Sequence, residues 1–243
     1  MKGRALVTGA TKGIGLGIAR RLAKDGFDVV ICARNPEQVQ AVAEEIGGTG
    51  LVLDVSDVEA VHEAVTGLGT LKVLVNNAGF DDFGWFVNTT PEQWRRLWSV
   101  NVEGVLATTR AALPGMYEAR YGRVITIGSE AGRIGSNGNA VYAATKAATH
   151  AFTKSIAREG ARYNVTANVV ASGPIDTPLT EANLRFGETG EKMIEAMKAG
   201  TLLGRLGTAD EVAAVVAMLA SEESSFVTGE IIGVSGGMGV GSG

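Results

Sequence analysis

Short runs of branched apolar residues alternate along this chain with longer segments whose apolar positions recur every three or four residues. The short runs at 5–7, 29–33, 51–53, 73–75, 124–127 (continuing to Ser129), 165–171 and 231–234 read as strands. Between them lie helical patterns: 14–24 (with Ile18 and Leu22 opposite Arg20, Arg21 and Lys24), 36–46, 58–66, 91 to beyond 106, 140–162 and 209–219. Strand and helix in strict alternation imply a parallel sheet covered on both faces. The expected fold is α/β, a Rossmann-like doubly wound sheet of about seven strands. No composition break, repeat or low-complexity tract divides the chain, so residues 1–243 read as one nucleotide-binding domain. Residues 179–200 depart from the alternation, being polar and mixed, with Met193 and Met197 on one helical face. They read either as a lid over substrate or as a plain surface helix pair.

Composition narrows this picture by exclusion. Hydrophobic residues make up 45% and charged residues 20% of 243, as in ordinary globular domains. The formal net charge of −4 argues against a nucleic-acid partner. Cys32, the only cysteine, lies in an apolar run and reads as a buried thiol; no zinc spacing exists and no metal is expected. No apolar run reaches membrane length and no leader is evident, so a cytoplasmic location with no membrane partner is expected, and 239–243 read as a loose tail.

The first strand runs into Thr8-Gly9-Ala10-Thr11-Lys12-Gly13-Ile14-Gly15 and then a helix. Glycines in such a turn let backbone approach a ligand, and the helix start offers free N–H groups to phosphate. The spacing Gly-x-x-x-Gly-x-Gly differs from the common dinucleotide fingerprint, and a tight turn without a ligand is the plain alternative. At the end of the second strand, where an acidic residue holds the adenosine ribose of NAD, stand Ala33 and Arg34. Arg34 and Lys12 together suit a ribose 2′-phosphate, which favours NADP(H) over NAD, although both could be merely solvated and Glu37 is near enough to take the acidic role. Asp54 reads as an acceptor for adenine or as a helix cap.

The densest chemistry lies between Ser129 and Lys146. Tyr142 and Lys146, four residues apart on a helical pattern, share a face. A nearby ammonium is expected to lower the tyrosine pKa and fit it for acid–base work. Ser129 ends a strand, where open α/β sheets bind ligands. Asn101, inside a helical pattern between Val100 and Val102, needs a partner for its amide. The loop Phe80-Asp81-Asp82-Phe83-Gly84-Trp85 is rich in aromatics and follows a strand end, where loops often meet substrate. His62 and His150 lack a nucleophile partner, and no hydrolase elbow is present.

Taken jointly and in order, 8–15, Asp54-Val55, Asn76-Asn77-Ala78-Gly79, Asn101, Ser129, Tyr142-x-x-x-Lys146, 173–177 and the ending from Thr228 to Gly237 resemble the short-chain dehydrogenase/reductase family over nearly the whole chain. Within it the chain is most similar to 3-oxoacyl-carrier-protein reductases, and its 77–81 loop and 129–142 segment also resemble alicyclic hydroxyacyl-CoA dehydrogenases. The resemblance implies an NADP(H)-dependent interconversion of a ketone and a secondary alcohol. Ser129 would polarise the carbonyl, Tyr142 would pass the proton, Lys146 would tune Tyr142 and bind nicotinamide ribose, and Asn101 would hold a water linking Lys146 to solvent. The expected cofactor contacts are Gly9, Thr11, Lys12, Gly13, Ile14, Gly15, Arg34, Asp54, Val55, Asn76, Ala78, Gly79, Tyr142, Lys146, Gly173, Ile175 and Thr177. The expected substrate contacts are Phe80, Asp81, Phe83, Trp85, Ser129, Glu130 and Tyr142. A homotetramer is implied, with the Trp94 and Tyr142 helices and the last strand at subunit contacts. An NAD-linked catabolic dehydrogenase and a non-catalytic cofactor sensor are the rival readings. Two departures stand out: Ser172 replaces the usual proline, which is expected to loosen the following loop, and Ser235 replaces a common aspartate.

Overall fold

Parallel strands run side by side through the computed structural model, which describes residues 2–181, 184–185 and 187–240. They are β1 (Arg4–Thr8), β2 (Asp28–Ala33), β3 (Thr49–Val52), β4 (Val73–Asn76), β5 (Gly122–Ser129), β6 (Val165–Ser172) and β7 (Ile231–Val234). They form one seven-stranded sheet in the order β3-β2-β1-β4-β5-β6-β7. The helices are α1 (Gly13–Lys24), α2 (Pro36–Ile46), α3 (Val58–Gly67), α4 (Pro91–Trp98), α5 (Gly104–Glu118), α6 (Ala131–Ile134), α7 (Ala140–Gly160), α8 (Pro178–Glu181), α9 (Glu188–Ala199) and α10 (Ala209–Ala220).

The central strands are buried on both faces, which is why they read as continuous apolar runs. In β1, Ala5 and Val7 face one core and Leu6 the other, following the two-residue period of a strand. One face is covered by α1, α2 and α10 through Ala19, Leu22, Val42, Val212 and Val216. The opposite face is covered by α3, α5 and α7 through Val61, Val65, Ala111, Met116 and Ile156. Cys32 is buried in this second core and burial pushes its thiol up to about 12, so it is an inert packing group. Among the described residues no helix is long and apolar enough to cross a membrane.

Chain order reverses between β1 and β4, and the crevice above their carboxyl ends is where such sheets receive ligands. The loops after β1, β4, β5 and β6 all open on that side.

Three local features differ from the sequence reading. β3 begins earlier, at Thr49, because Thr49 and Gly50 pair with Val30 and Ile31. The helix from Pro91 contains a wide π turn at Ser99–Glu103 before continuing as α5, and Asn101 sits in it. Such turns leave the i→i−4 ladder locally and often accompany functional sites. The loop following Ser129 coils into the short α6.

Candidate active site

The glycine turn after β1 is held from three sides. Thr8 Oγ1 accepts from the backbone N–H groups of Asn77 and Ala78, both at 3.0 Å, and Asn77 Nδ2 donates to the Thr8 and Gly9 carbonyls at 2.9 and 3.1 Å. A Cβ on Gly15 would stand 2.3 Å from the Gly9 carbonyl oxygen and 2.4 Å from Asn77 Nδ2, so only glycine fits there. Gly9 adopts φ +65°, a left-handed conformation that favours glycine. The first turn of α1 has no side-chain cap and no acidic residue, leaving its N–H groups for an anion. Lys12 sits at the helix start and is exposed. These features fit a dinucleotide pyrophosphate. Thr177 packs beside Gly13, with its methyl 3.4 Å from where a Cβ would be.

Arg34, with its side chain 77% exposed, lies 3.7 Å from Asp54 across the ends of β2 and β3. Asp54 also accepts from the Ser56 N–H at 3.0 Å and the Ser56 hydroxyl at 2.7 Å. Its carboxyl lies below the usual range: burial works against this, and the Ser56 bonds and Arg34 outweigh burial. Asp54 therefore both caps a turn and orients Arg34. Val55 and Ile175 are buried, so they offer a ligand backbone rather than side chain. Asn76 is 3% exposed, donates to Thr109 Oγ1 at 3.0 Å and accepts from Thr108 at 2.7 Å. Its side chain ties β4 to α5, so it too would offer a ligand its backbone.

Ser129, Tyr142 and Lys146 converge at the carboxyl end of β5. The Ser129 hydroxyl, which accepts from Ala131 N at 3.2 Å, lies near enough to the Tyr142 phenol to pull its pKa down. Lys146 Nζ donates to the Ile127 carbonyl at 2.9 Å and lies 5.7 Å from the Tyr142 ring centroid. The expectation that Lys146 lowers the tyrosine is not met. Burial, followed by the nearby Asp81 charge, pushes Tyr142 up to about 12, while burial brings Lys146 down to about 8. The ammonium donates to a strand carbonyl beside the ring, and desolvation disfavours the charged form of each group.

Asn101, 1% exposed, accepts from Phe80 N at 3.0 Å and donates to Phe80 O at 2.9 Å and Thr145 Oγ1 at 3.2 Å. It pins the loop after β4 onto α7, one residue before Lys146. Gly79 lies against this lock: a Cβ there would stand 3.0 Å from Asn101 Oδ1 and 3.5 Å from Lys146 Nζ. Sequence inspection could flag the buried amide but not its partners, because the π turn that aims it leaves no composition signal.

Ser172 does not loosen its loop. β6 runs through it in register with Ser129, its carbonyl accepts from Glu130 N at 2.9 Å, and Gly173 N donates to Val234 O at 3.0 Å. Ser235 packs directly on Gly173, 2.7 Å from where a Cβ would be.

On the substrate side, Asp82, Phe86, Trp94, Asn139, Val141 and Tyr142 line a small depression. Phe86 and Trp94 stack at 5.6 Å, and Trp94 donates to Thr89 at 2.8 Å. Trp85 is 60% exposed and outside this lining, which Phe86 joins instead. Phe83 packs on Gly138, and Phe80 lies 5.3 Å from the Arg96 guanidinium. Asp81 is half-buried, and burial raises its carboxyl to about 6 against the opposing pull of the Asp82 N–H and Asn139. Glu130 is corrected outright: at 2% exposure it pairs with Arg133 at 3.2 Å beneath Gly233 and Gly239, away from the pocket. That contact also engages the start of the expected loose tail; residues 241–243 lie outside the described residues. Residues 182, 183 and 186 of the expected lid do too, while Met193 and Met197 are half-buried on one face of α9. Among the described residues no group of three or more His, Cys, Asp or Glu is placed to hold a metal.

A family model of short-chain dehydrogenase type, described as enoyl-(acyl carrier protein) reductase, matches residues 9–239. The chain belongs to the short-chain dehydrogenase/reductase family. Its relatives include the 3-oxoacyl-(acyl-carrier-protein) reductase FabG of Escherichia coli (strain K12), 40% identical over 244 residues and 96% of each chain. The enzyme of that name from Staphylococcus aureus (strain Mu50) is 37% identical over 96% of this chain and 97% of its own. Among solved structures, a single-residue variant of actinorhodin polyketide ketoreductase with NADPH superposes with a TM-score of 0.92 and 34% identity, covering 98% of this chain and 97% of that one. The fold and the oxidoreductase class follow from this membership.

Proposed function

We propose that this protein reduces a ketone to a secondary alcohol, or runs the reverse, with NADP(H). The observation that carries the reading is the juxtaposition of the Ser129 hydroxyl, the Tyr142 phenol and buried Lys146 at the sheet's carboxyl end. Two hydroxyls converging on one point suit a carbonyl oxygen, which accepts two hydrogen bonds, better than a carbon–carbon double bond. This favours the chemistry named for the 3-oxoacyl reductase relatives over that named in the family description. A bound nicotinamide supplies or accepts the hydride. Ser129 donates to the substrate oxygen and polarises it. Tyr142, protonated at neutral pH, passes its proton to the alkoxide that develops there. Lys146 stabilises the resulting phenolate, and the bond it donates to Ile127 O keeps its Nζ beside the ring.

Arg34 and Lys12 would hold the 2′-phosphate of NADP, with Asp54 keeping Arg34 at the crevice. Gly9, Thr11, Gly13, Ile14 and Gly15 would cradle the pyrophosphate, and Ala78, Gly79, Gly173, Ile175 and Thr177 would border the nicotinamide half through backbone and small side chains. The 179–200 segment would close over substrate. A homotetramer in the cytoplasm completes the reading, supported by the family and by Trp94 and Trp98, which stay partly exposed.

The test is NADPH oxidation followed by absorbance against 3-oxoacyl thioesters, cyclic ketones and aryl ketones, with NADH in parallel. Turnover is expected with NADPH, and Tyr142→Phe should bind NADPH normally while losing turnover by about a thousandfold or more. Turnover retained by the phenylalanine variant would sink the proton-transfer assignment.

A further inference from the structure

Helix α7 meets the carboxyl end of β5 through three side chains spaced four residues apart, Tyr142, Lys146 and His150, which share one face of the helix. Each is matched to one of three successive residues of the strand. The Tyr142 phenol lies beside the Ser129 hydroxyl, Lys146 Nζ donates to the Ile127 carbonyl at 2.9 Å, and the His150 ring packs on Gly128. A Cβ on Gly128 would run into His150 Nε2. One on Gly132 would stand 2.9 Å from His150 Cε1, from Ala147 N and from the Lys146 carbonyl carbon. The two glycines flank Ser129 and leave room for one ring. The turn that carries the serine therefore bears on the imidazole at both its ends, and at Gly132 it also rests on the α7 backbone.

Resting on the carbonyl-reductase reading, we infer that His150 is a positioning residue for the reaction: its ring is the spacer that sets the Ser129 hydroxyl against Tyr142 and the substrate oxygen. His150 is 4% exposed, and its Nε2 is buried without a hydrogen-bond partner. Buried nitrogens are nearly always paired, so this ring serves by its shape rather than by a bond. Burial, and then the Lys146, Arg133 and Lys154 charges, keep it neutral, so the spacer is the same throughout neutral pH. The other ties of the turn do not set its distance from α7. Ser129 Oγ accepts from Ala131 N at 3.2 Å, within the turn itself. Glu130 N donates to Ser172 O at 2.9 Å, which fastens the turn to β6. Lys146 holds the strand at Ile127, two residues before the serine. With the ring removed, the serine turn is free to sink toward the helix, and a shift on the order of 1 Å at a reacting group costs up to about a hundredfold in rate.

The experiment measures kcat and NADPH affinity, with a ketone the native protein turns over, for His150 variants made with Ser129 intact and again in Ser129→Ala. His150→Ala should lower kcat by about tenfold or more while NADPH affinity stays within about twofold. His150→Gln, close in size and uncharged, should keep kcat within about threefold. In the Ser129→Ala background, His150→Ala should cost less than about threefold, because the group it positions is gone. His150→Val, which fills part of the space, stands in if the alanine variant does not fold; it should lose at least about threefold with Ser129 present and nothing further without it. An unchanged kcat in the smaller variants overturns the inference, and so does an equal loss in the glutamine variant. A loss of the same factor in both backgrounds overturns it too, since a side chain that merely packs the fold would act regardless of Ser129. Native protein that binds NADPH but turns over no ketone overturns the carbonyl-reductase reading, and the inference with it.

Discussion

Removing the Asn101 side chain tests the lock that joins the loop after β4 to the catalytic helix. Asn101→Ala deletes bonds to Phe80 N (3.0 Å), Phe80 O (2.9 Å) and Thr145 Oγ1 (3.2 Å). Thr145 keeps its bond to the Tyr142 carbonyl at 2.7 Å, so its loss is partial. The two Phe80 backbone groups lose their side-chain partner in a half-buried setting. Each unsatisfied buried group costs about 1–3 kcal/mol, and partial access of water to Phe80 favours the lower end, giving about 2–4 kcal/mol in all. For a chain of this size, at ~2–4 °C per kcal/mol, that lowers Tm by about 4–16 °C. The loop should also loosen at Gly79, where a Cβ would stand against Asn101 Oδ1 and Lys146 Nζ, so kcat should fall by about tenfold or more as the reacting groups lose alignment. Calorimetry and steady-state kinetics of the variant read both. A Tm within about 1 °C of native with unaltered kcat would refute the reasoning, since three bonds, one buried and two half-buried, could not be lost so cheaply.

Other outcomes follow from the same geometry. Gly15→Ala forces a Cβ to 2.3 Å from the Gly9 carbonyl oxygen; NADPH affinity measured by fluorescence should drop by about a hundredfold or more, and unchanged affinity would remove the glycine turn from the binding site. Arg34→Asp should move the NADPH/NADH preference toward NADH, read as the ratio of kcat/KM values, and an unchanged ratio would discard Arg34 as the 2′-phosphate contact. His150 is 4% exposed and pressed against Gly128 and Gly132, and burial, with help from Lys146, Arg133 and Lys154, holds its imidazole down to about 4. The unfolded chain binds that proton near pH 6.5 and the folded one does not, so stability is fully present above 6.5 and falls as pH drops toward 4. Urea melts at pH 7 and 4.5 should show this acid loss shrinking by on the order of 2 kcal/mol in His150→Gln, and an identical loss in both proteins would exclude His150 as its source.

Much of this molecule was legible in the residues alone. The seven apolar runs are strands because a parallel sheet covered on both faces demands apolar side chains at every position, and the helices announce themselves by their period and by caps such as Asn35-Pro36 and Thr208-x-x-Glu211. Ser129, Tyr142 and Lys146 were also readable, since four-residue spacing on a helix and the end of a strand are local geometry. What escaped the sequence depends on which way a side chain turns. Asn76 and Glu130 have the right chemistry at strand ends, yet each points into packing: Asn76 to two threonines of α5, Glu130 to Arg133 beneath β7. Alternation along a strand sends neighbouring residues to opposite faces, and only the assembled layers say which face holds the ligand. The titration of the site belongs to the tertiary structure for the same reason. Proximity along the chain pairs Lys146 with Tyr142, but burial shifts both groups against their charged forms, and the loop carrying Asp81 comes from about sixty residues away. Desolvation is a property of everything packed around a group, which no local pattern encodes.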